Sequence, residues 1–269
     1  MTDASKRWTL PRIRRRLRSS APAREAGGAS VPARAQGLDA ALHAMQRLRY
    51  QVYCLEQHFV DAARCTEGRE SDEYDLHAIH FAAATERGEV VATLRLVLDS
   101  PLGFPLERHA PGLLDDRPPG ERSRTGEVSR LIIAPRYRTA TVREPLILFG
   151  LFRHLYEESW RLGLDYLVAA MEGKLARLLR RLGFPFVPLG DPISYYGEVT
   201  PYGAPHAAMR PGYKRILAYQ RSCASGGQSP FRYFRVSSTQ LSLVPLVRAT
   251  HSSRVETSPS ELERAIPTR

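Results

Sequence analysis

The sequence predicts an α+β fold, a mixed sheet flanked by helices, antiparallel at first and parallel in its middle. Three observations carry this. Two apolar runs, HAIHFAAAT and VVATLRLVLD, are joined by the short polar turn ERGE, a hairpin signal. A strand-like run, GEVSRLIIA, is followed by a helical period from Arg143 to Leu162, then by the short run DYLVAAM and a second helical period. No repeat interrupts this order.

The elements follow one by one. Residues 39–58 place Leu42, Met45, Leu48, Val52 and Leu55 at helical spacing, with Asp39 as N-cap. Residues 60–76 are polar and acidic and read as a loop. After the hairpin, residues 99–125 hold several Pro and Gly and predict a connection with at most a short helix. GEVSRLIIA is the next strand. The helix from Arg143 has Leu146, Phe149, Phe152 and Leu155 or Tyr156 on one side. Glu172 to Leu182 is a helix stopped by Gly183. PFVPLGDPISYYGE reads as another strand pair or an extended segment, and GYKRILAYQ as the last element.

Composition bounds the function. Residues 1–36 carry nine Arg and Lys against two acids, and residues 221–269 seven Arg against three acids. These segments hold the whole net charge of +11, so residues 37–220 are neutral, with 23 charges of each sign. A pI near 9.9 therefore does not mark a nucleic-acid binder, because the folding part has no basic excess. The division is three-part: a disordered basic arm over 1–36, one domain over 37–220, and a largely disordered Ser/Arg-rich tail over 221–269. Trp8, Ile13 and Leu17 among the arginines of the arm also fit a short basic helix in peripheral contact with anionic membrane. No apolar run is long enough to span a bilayer, and the N-terminus lacks a secretory pattern. Three cysteines, Cys54, Cys65 and Cys223, are too few for a disulfide framework and lack metal-ligand spacing. A reduced cytoplasm, at most peripheral to the inner membrane face, is the expected location, and no metal site is expected.

Charges interrupt the apolar pattern at particular places. Arg49 lies on the first helix, Glu70, Asp72 and Asp75 in the acidic run, Arg95 inside ATLRLVL, and Glu127 and Arg130 at the entry of GEVSRLIIA. A buried Arg95 needs a carboxylate, for which Asp72, Asp75 and Glu127 are the candidates. Glu127 and Arg130 are three apart and face opposite sides of a regular strand. If both join one cluster, a bulge must separate them, freeing a backbone N–H.

The order of Arg49, Val52 and Tyr53, then Glu70, Asp72 and Asp75, then Arg95 and Leu96, then Glu127, Ser129 and Arg130 resembles the acyl-homoserine-lactone synthases, relatives of the GNAT acyltransferases. Residues 171–202, MEGKLARLLRRLGFPFVPLGDPISYYGEVTPY, resemble acyltransferases associated with the PEP-CTERM/exosortase system, relatives of the N-acyl amino acid synthases. The resemblance covers about residues 40–215. It implies a GNAT-like (acyl-CoA N-acyltransferase) fold with a bulged central strand. It implies no bound cofactor, an acyl-phosphopantetheine thioester of acyl carrier protein as donor, and a small amine as acceptor. It makes Glu127 the catalytic carboxylate and places Ser129 on the same strand motif. Arg49, Asp72, Asp75, Arg95 and Arg130 become the acceptor-side cluster. The sequence departs from the resemblance at Phe59, nearest to a tryptophan of many lactone synthases, and at Tyr195-Tyr196-Gly197, which stands for a Tyr-His-Gly segment.

Chemistry extends this expectation. An amine must lose a proton before it attacks a thioester, and Glu127 can accept it, unless Arg95 or Arg130 depresses its pKa. A backbone N–H near Ser129–Leu131 can stabilise the oxyanion. The segment APRYRTATVREP has no glycine to cradle a pyrophosphate, which favours a carrier protein over acyl-CoA. Arg136, Arg138 and Arg143 are then candidates for the phosphopantetheine phosphate and an acidic carrier protein. The rivals are a lactone synthase using S-adenosylmethionine or a CoA-dependent acyltransferase, and, from another class, a catalytically silent GNAT-like binding protein.

Overall fold

The computed structural model describes residues 38–115, 119–138, 143–224, 231–237 and 244–245. The expected basic arm, the side chains of Arg143 and Cys223 and most of the C-terminal tail lie outside the described residues.

The chain opens with α1 (Leu38–Tyr50), which runs on as a π-helical turn over Gln51–Glu56. Asp39 sits inside the first turn of α1, not before it, where its charge suits the positive helix end. Three 3₁₀ turns lead to the hairpin of β1 (Ala78–Thr85) and β2 (Val90–Leu98). Two short helices follow, α2 (Pro105–His109) and α3 (Pro119–Arg122), then β3 (Thr125–Ile133) and α4 (Arg143–Arg161). Next come β4 (Tyr166–Met171), α5 (Gly173–Leu182), two-residue strands β5 (Val187–Pro188) and β6 (Ile193–Ser194), and β7 (Glu198–Pro205). The rest is α6 (Arg210–Ala224), β8 (Phe231–Ser237) and β9 (Val244–Pro245). Gly183 ends α5 in the left-handed region at φ 95°, and a Cβ there would lie 2.7 Å from the Gly212 backbone nitrogen. No helix among the described residues is long and apolar enough to cross a membrane.

The main sheet has the order β5-β7-β4-β3-β2-β1-β8-β9, with β6 on β7. It is mixed as expected: β3 and β4 run parallel, and the other pairings are antiparallel. Two corrections concern its ends. The expected tail beyond residue 220 supplies β8, which lies against β1 along its whole length and buries Phe231 and Val236. Alternation in FRYFRVS is short and lies in a Ser/Arg-rich context, so composition hid it. β7 was missed because Pro201, Gly203 and Pro205 disfavour an interior strand. It is nevertheless paired with both β4 and β5.

Two details of β3 prepare the site. Thr93 faces Ile132 and Arg95 faces Ser129, so Arg130 and Leu131 together oppose Leu94, which makes a bulge. Arg130 takes the left-handed conformation there, with φ 51°. On the other edge, β3 pairs with β4 only from Thr125 to Glu127, and the ladder ends at Glu127↔Val168. The two strands part where Glu127 sits.

One sheet face packs on α4 through Phe81, Leu94, Leu96, Ile147, Leu151 and Leu155. The other face holds two separate apolar clusters. One joins α1 to Ala82, Val90 and Ile132, and the other joins Tyr74, Val97, Phe104, Leu106 and Val168. The charged residues occupy this second face.

Candidate active site

α1 contributes Arg49 from its last turn, fully buried. Its guanidinium holds Glu70 through Nε at 2.5 Å and Asp75 through Nη1 at 2.9 and 3.0 Å. Arg95, opposite Ser129 in the β2–β3 register, donates from Nη1 to Asp72 at 2.5 Å and to Asp75 at 2.6 Å. Its Nε donates to Ser129 Oγ at 3.0 Å. Arg130 donates from Nη2 to Glu70 at 2.8 Å, to Asp72 at 2.9 Å and to the Tyr196 hydroxyl at 3.2 Å. Three arginines and three carboxylates thus form one neutral network. Asp72 also caps the 3₁₀ turn at Glu73–His77, accepting from the Tyr74 N–H at 3.1 Å. That local cap is why the acidic run turns in toward the sheet.

Electrostatics follow the pairing. Burial opposes the Glu70 carboxylate, but Arg49 and Arg130 outweigh it and hold it down to about 2. Asp75 is likewise lowered, with burial outweighed by Arg49, His80 and Arg95. His80 is pushed down to about 4 by burial, despite Asp75, and its Nε2 lies 3.2 Å from the Asp75 carbonyl oxygen.

Glu127 shares the sheet face with Ser129 and Arg95 but stands outside the ion pairs. Of the three candidate partners of Arg95, Asp72 and Asp75 are the ones paired with it, both at Nη1, and Nη2 is buried without a hydrogen-bond partner. Glu127 Oε2 accepts from the Leu106 N–H at 2.8 Å. That amide belongs to the first turn of α2, where an N–H has no partner within the helix. Oε1 is buried without a protein partner. The concern that arginines depress its pKa fails. Burial pushes the Glu127 carboxyl up to about 7, against the Leu106 N–H, Arg95 and Arg130. Glu127 is fully buried, so loss of hydration is the largest effect.

The bulge lies at Arg130–Leu131 rather than between Glu127 and Arg130. The consequence is the expected one: Arg130 turns to the face of Glu127 and Ser129 and reaches the acidic run. A left-handed non-glycine residue costs about 1–2 kcal/mol, offset here by two ion pairs and two aromatic faces. Those faces are Tyr53 and Tyr196, whose ring centroids lie 5.3 and 4.9 Å from the guanidinium carbon. Tyr53 and Tyr196 stack at 5.6 Å, and Phe59 packs on both, at 6.0 and 6.2 Å.

Tyr195, Tyr196 and Gly197 form the turn between β6 and β7, with Tyr196 and Gly197 at φ 51° and 96°. Tyr195 stacks on His109 of α2 at 3.9 Å, and burial raises its hydroxyl pKa. So α2 touches both the carboxyl and the tyrosine turn. α2 is itself fixed by Glu107, which accepts from the Phe104 N–H at 2.7 Å and from Arg122 Nη1 and Nη2 at 2.6 and 2.5 Å. Sequence reasoning missed this support. The pattern Phe104-Pro105-Leu106-Glu107, with Pro at the first helical position and Glu two residues later, was its available signal.

The expected donor-side arginines do not converge on the cluster. Arg136 pairs with Glu89 and lies over Tyr137. Arg138 pairs with Glu56 and donates from Nε to the Ile133 carbonyl at 2.5 Å. The Arg143 side chain lies outside the described residues. Among those residues, no three His, Cys, Asp or Glu side chains are placed to hold a metal ion.

Comparisons with known proteins bear on the fold and the family. An acyl-homoserine-lactone synthase of Rhizobium radiobacter is 30% identical over 187 residues, 66% of this chain and 87% of that protein. Another, of Vibrio anguillarum, is 24% identical over 169 residues, 62% of this chain and 86% of that protein. Among solved structures, the AHL synthase LasI aligns with a TM-score of 0.51 at 20% identity, over 62% of this chain and 84% of its own. TofI, in a ternary complex with an inhibitor and MTA, aligns with a TM-score of 0.50 at 22% identity, over 70% and 97%. These two establish the GNAT-like fold. The family profile of the N-acyl amino acid synthase FeeM matches residues 44–222, about two thirds of the chain. The chain belongs to the N-acyl amino acid synthase FeeM family and is an acyltransferase enzyme of the FeeM and lactone-synthase type.

Proposed function

We propose that the chain transfers a fatty acyl group from the phosphopantetheine thioester of an acyl carrier protein to the amine of a small acceptor, an amino acid. The observation that carries this reading is the Glu127 carboxyl. It is buried, free at Oε1, raised to about 7, and placed where β3 and β4 part.

A carboxyl with that pKa is poised for a base's work near neutrality. Ionised, it takes a proton from the acceptor ammonium, and the neutral amine attacks the thioester carbonyl carbon. The C–N bond forms, the carbonyl becomes an oxyanion, and its collapse breaks the C–S bond and releases the carrier's thiolate. The leaving thiolate then takes up a proton, and the product is an amide. On this reading an extended acyl-pantetheine lies beyond the end of the β3–β4 ladder at Glu127↔Val168, and a backbone N–H there stabilises the oxyanion. The neutral network of Arg49, Arg95 and Arg130 with Glu70, Asp72 and Asp75 fixes the acceptor wall. On this reading Arg136, Arg138 and Arg143 meet the donor's single phosphodiester, Arg136 and Arg138 exchanging Glu89 and Glu56 for it. The likeness of residues 171–202 to acyltransferases of exosortase systems extends the proposal to service in such a system.

A second reading is favoured by the two curated relatives, both lactone synthases: S-adenosylmethionine as acceptor, with lactone closure. The chain with Glu127 and its Glu127→Gln variant are expressed in a bacterium, and organic extracts are compared by mass spectrometry. N-acyl amino acids present only with Glu127 are the expected result. Acyl lactones instead would install the second reading. No new lipid from a folded chain would leave a silent binding protein.

A further inference from the structure

Cys54 and Cys65 take no part in the chemistry above, yet the fold brings their sulfurs to 3.4 Å. Eleven residues apart, they belong to different pieces of structure. Cys54 is buried in the π-helical turn that continues α1, one residue after Tyr53. Cys65 is half-buried between the 3₁₀ turns at Ala62–Arg64 and Thr66–Gly68. The strap that carries Cys65 begins near Phe59, packed on Tyr53 and Tyr196, and ends at Glu70, paired with Arg49 and Arg130. It turns through left-handed residues at His58, Glu67 and Gly68, and most of its side chains are exposed or half-buried. A disulfide needs its sulfurs about 2.05 Å apart, so closure asks for roughly 1.4 Å of movement from the present 3.4 Å. A surface strap built of single turns can supply that; a core strand could not.

The geometry points to an oxidation site: a low-molecular-weight disulfide, such as oxidised glutathione, converts Cys54 and Cys65 into an intrachain disulfide that staples the strap to the end of the first helix. The exchange balances in two steps. The more accessible Cys65 thiolate attacks one sulfur of the oxidant and releases one thiol, leaving a mixed disulfide. Cys54 then loses its proton to solvent and attacks the Cys65 sulfur, releasing the second thiol. Two protein thiols are oxidised and one external disulfide is reduced to two thiols. Burial and the adjacent Cys65 push the Cys54 thiol up to about 12, so the second step is the slow one and accelerates as pH rises. The inference does not depend on which acceptor or donor the enzyme uses.

The full chain, reduced and desalted, is incubated with oxidised glutathione at pH 8. It is then acid-quenched, unfolded and alkylated. Of the three cysteines only Cys223 is expected to be alkylated. Tryptic peptide 50–64 should be linked to peptide 65–69. The closed loop is short, and the expected rise in Tm is roughly 5–10 °C, reversed by dithiothreitol. Cys54→Ser should stop at a glutathione adduct on Cys65, and Cys65→Ser should keep Cys54 free; neither should gain Tm. Three alkylated cysteines, a lasting glutathione adduct in the unsubstituted chain, or a bond mapped to Cys223 would overturn the assignment.

Discussion

Replacing Glu127 by Gln isolates the energetic cost of an ionised carboxylate at the centre of the sheet. Gln keeps the shape and an oxygen that accepts from the Leu106 N–H, so packing and the hydrogen bond at 2.8 Å survive. What disappears is the titration. In the folded chain the group has a pKa of about 7, raised by burial; unfolded it returns to the ordinary 4.5. The folded state therefore binds the proton more tightly. The stability contributed by that proton is fully present below pH 4.5 and is lost as pH rises from 4.5 through 7. A shift of this size corresponds to about 3 kcal/mol once pH is well above 7, and the part lost between pH 5 and pH 8 is about 2.5 kcal/mol. Gln loses none of it. In thermal melts from pH 5 to 8, the difference in Tm between the Gln variant and the parent should widen in favour of Gln by roughly 5–10 °C. Every other titrating group is common to both chains and cancels in the difference. Parallel Tm–pH curves would refute the claim that burial, rather than the neighbouring arginines, governs this carboxyl. A curve in which Gln loses ground as pH rises would reverse its sign.

Removing Arg95 should act oppositely and at all neutral pH values. Arg95→Ala leaves Asp72 and Asp75 without one of their partners in a buried setting, and urea melts should show a loss of about 3–5 kcal/mol. The acid limb of stability should come from Glu70 and Asp75, both with lowered pKa in the fold; their contribution is present above about pH 4.5 and is lost as pH falls from there. Circular dichroism should therefore show cooperative unfolding in acid that is much weaker in Glu70→Gln. Gly150→Ala tests the C-terminal strand. A Cβ at Gly150 would lie 2.0–2.4 Å from the Tyr233 ring, whose hydroxyl donates to the Leu146 carbonyl at 2.8 Å. The substitution should raise amide hydrogen exchange in β8 while sparing β2; equal exchange in both chains would remove β8 from α4. Gly183→Ala meets both a positive φ and backbone at 2.7 Å, and should destabilise by at least about 1 kcal/mol in melts, whereas a helix-interior Gly→Ala change stabilises.

What could be read from the chain differs between the middle and the edges. β1, β2, β3, β4, α4 and α5 declared themselves because each carries one clean signal: an apolar run, a helical period, or a glycine stop. β7 and β8 did not. β7 contains two prolines and a glycine, and its pairing depends on which backbone groups are needed by β4 and β5, a tertiary fact. β8 is short, and its aromatic alternation acquires meaning only once β1 offers a free edge. The charged residues were legible as a set, since an arginine between leucines must find an acid. Which acid it finds was not, because Asp72, Asp75 and Glu127 all offer a carboxylate and the sequence does not show which lies within its reach. The thiol pair was invisible for the same reason: a spacing of eleven residues says nothing until a helix end and a strap are folded against each other.

The placement of those acids decides the chemistry. Three arginines and four buried or half-buried carboxylates share one face, and one carboxylate, Glu127, stands outside the pairing. Had Glu127 been drawn into it, an arginine at contact would have held it in the low range seen for Glu70, a poor base near neutrality. The acidic run prevents this. Asp72 is turned inward by its own cap on Tyr74, and together with Asp75 it holds Arg95 through Nη1. Arg130, swung across by the bulge, is filled by Glu70 and Asp72 in the same way. Glu127 is left with one backbone amide, enough to orient it and too weak to offset its burial. The ion-pair network and the raised carboxyl are therefore one device. It follows that Asp72→Asn should lower the pKa of Glu127 by freeing Arg95 and Arg130 to pull on it. The widening Tm difference between the Glu127→Gln pair, remeasured in the Asp72→Asn background, should shrink. A gap that stays the same would mean that Glu127 is raised by burial alone, indifferent to how its neighbours are paired.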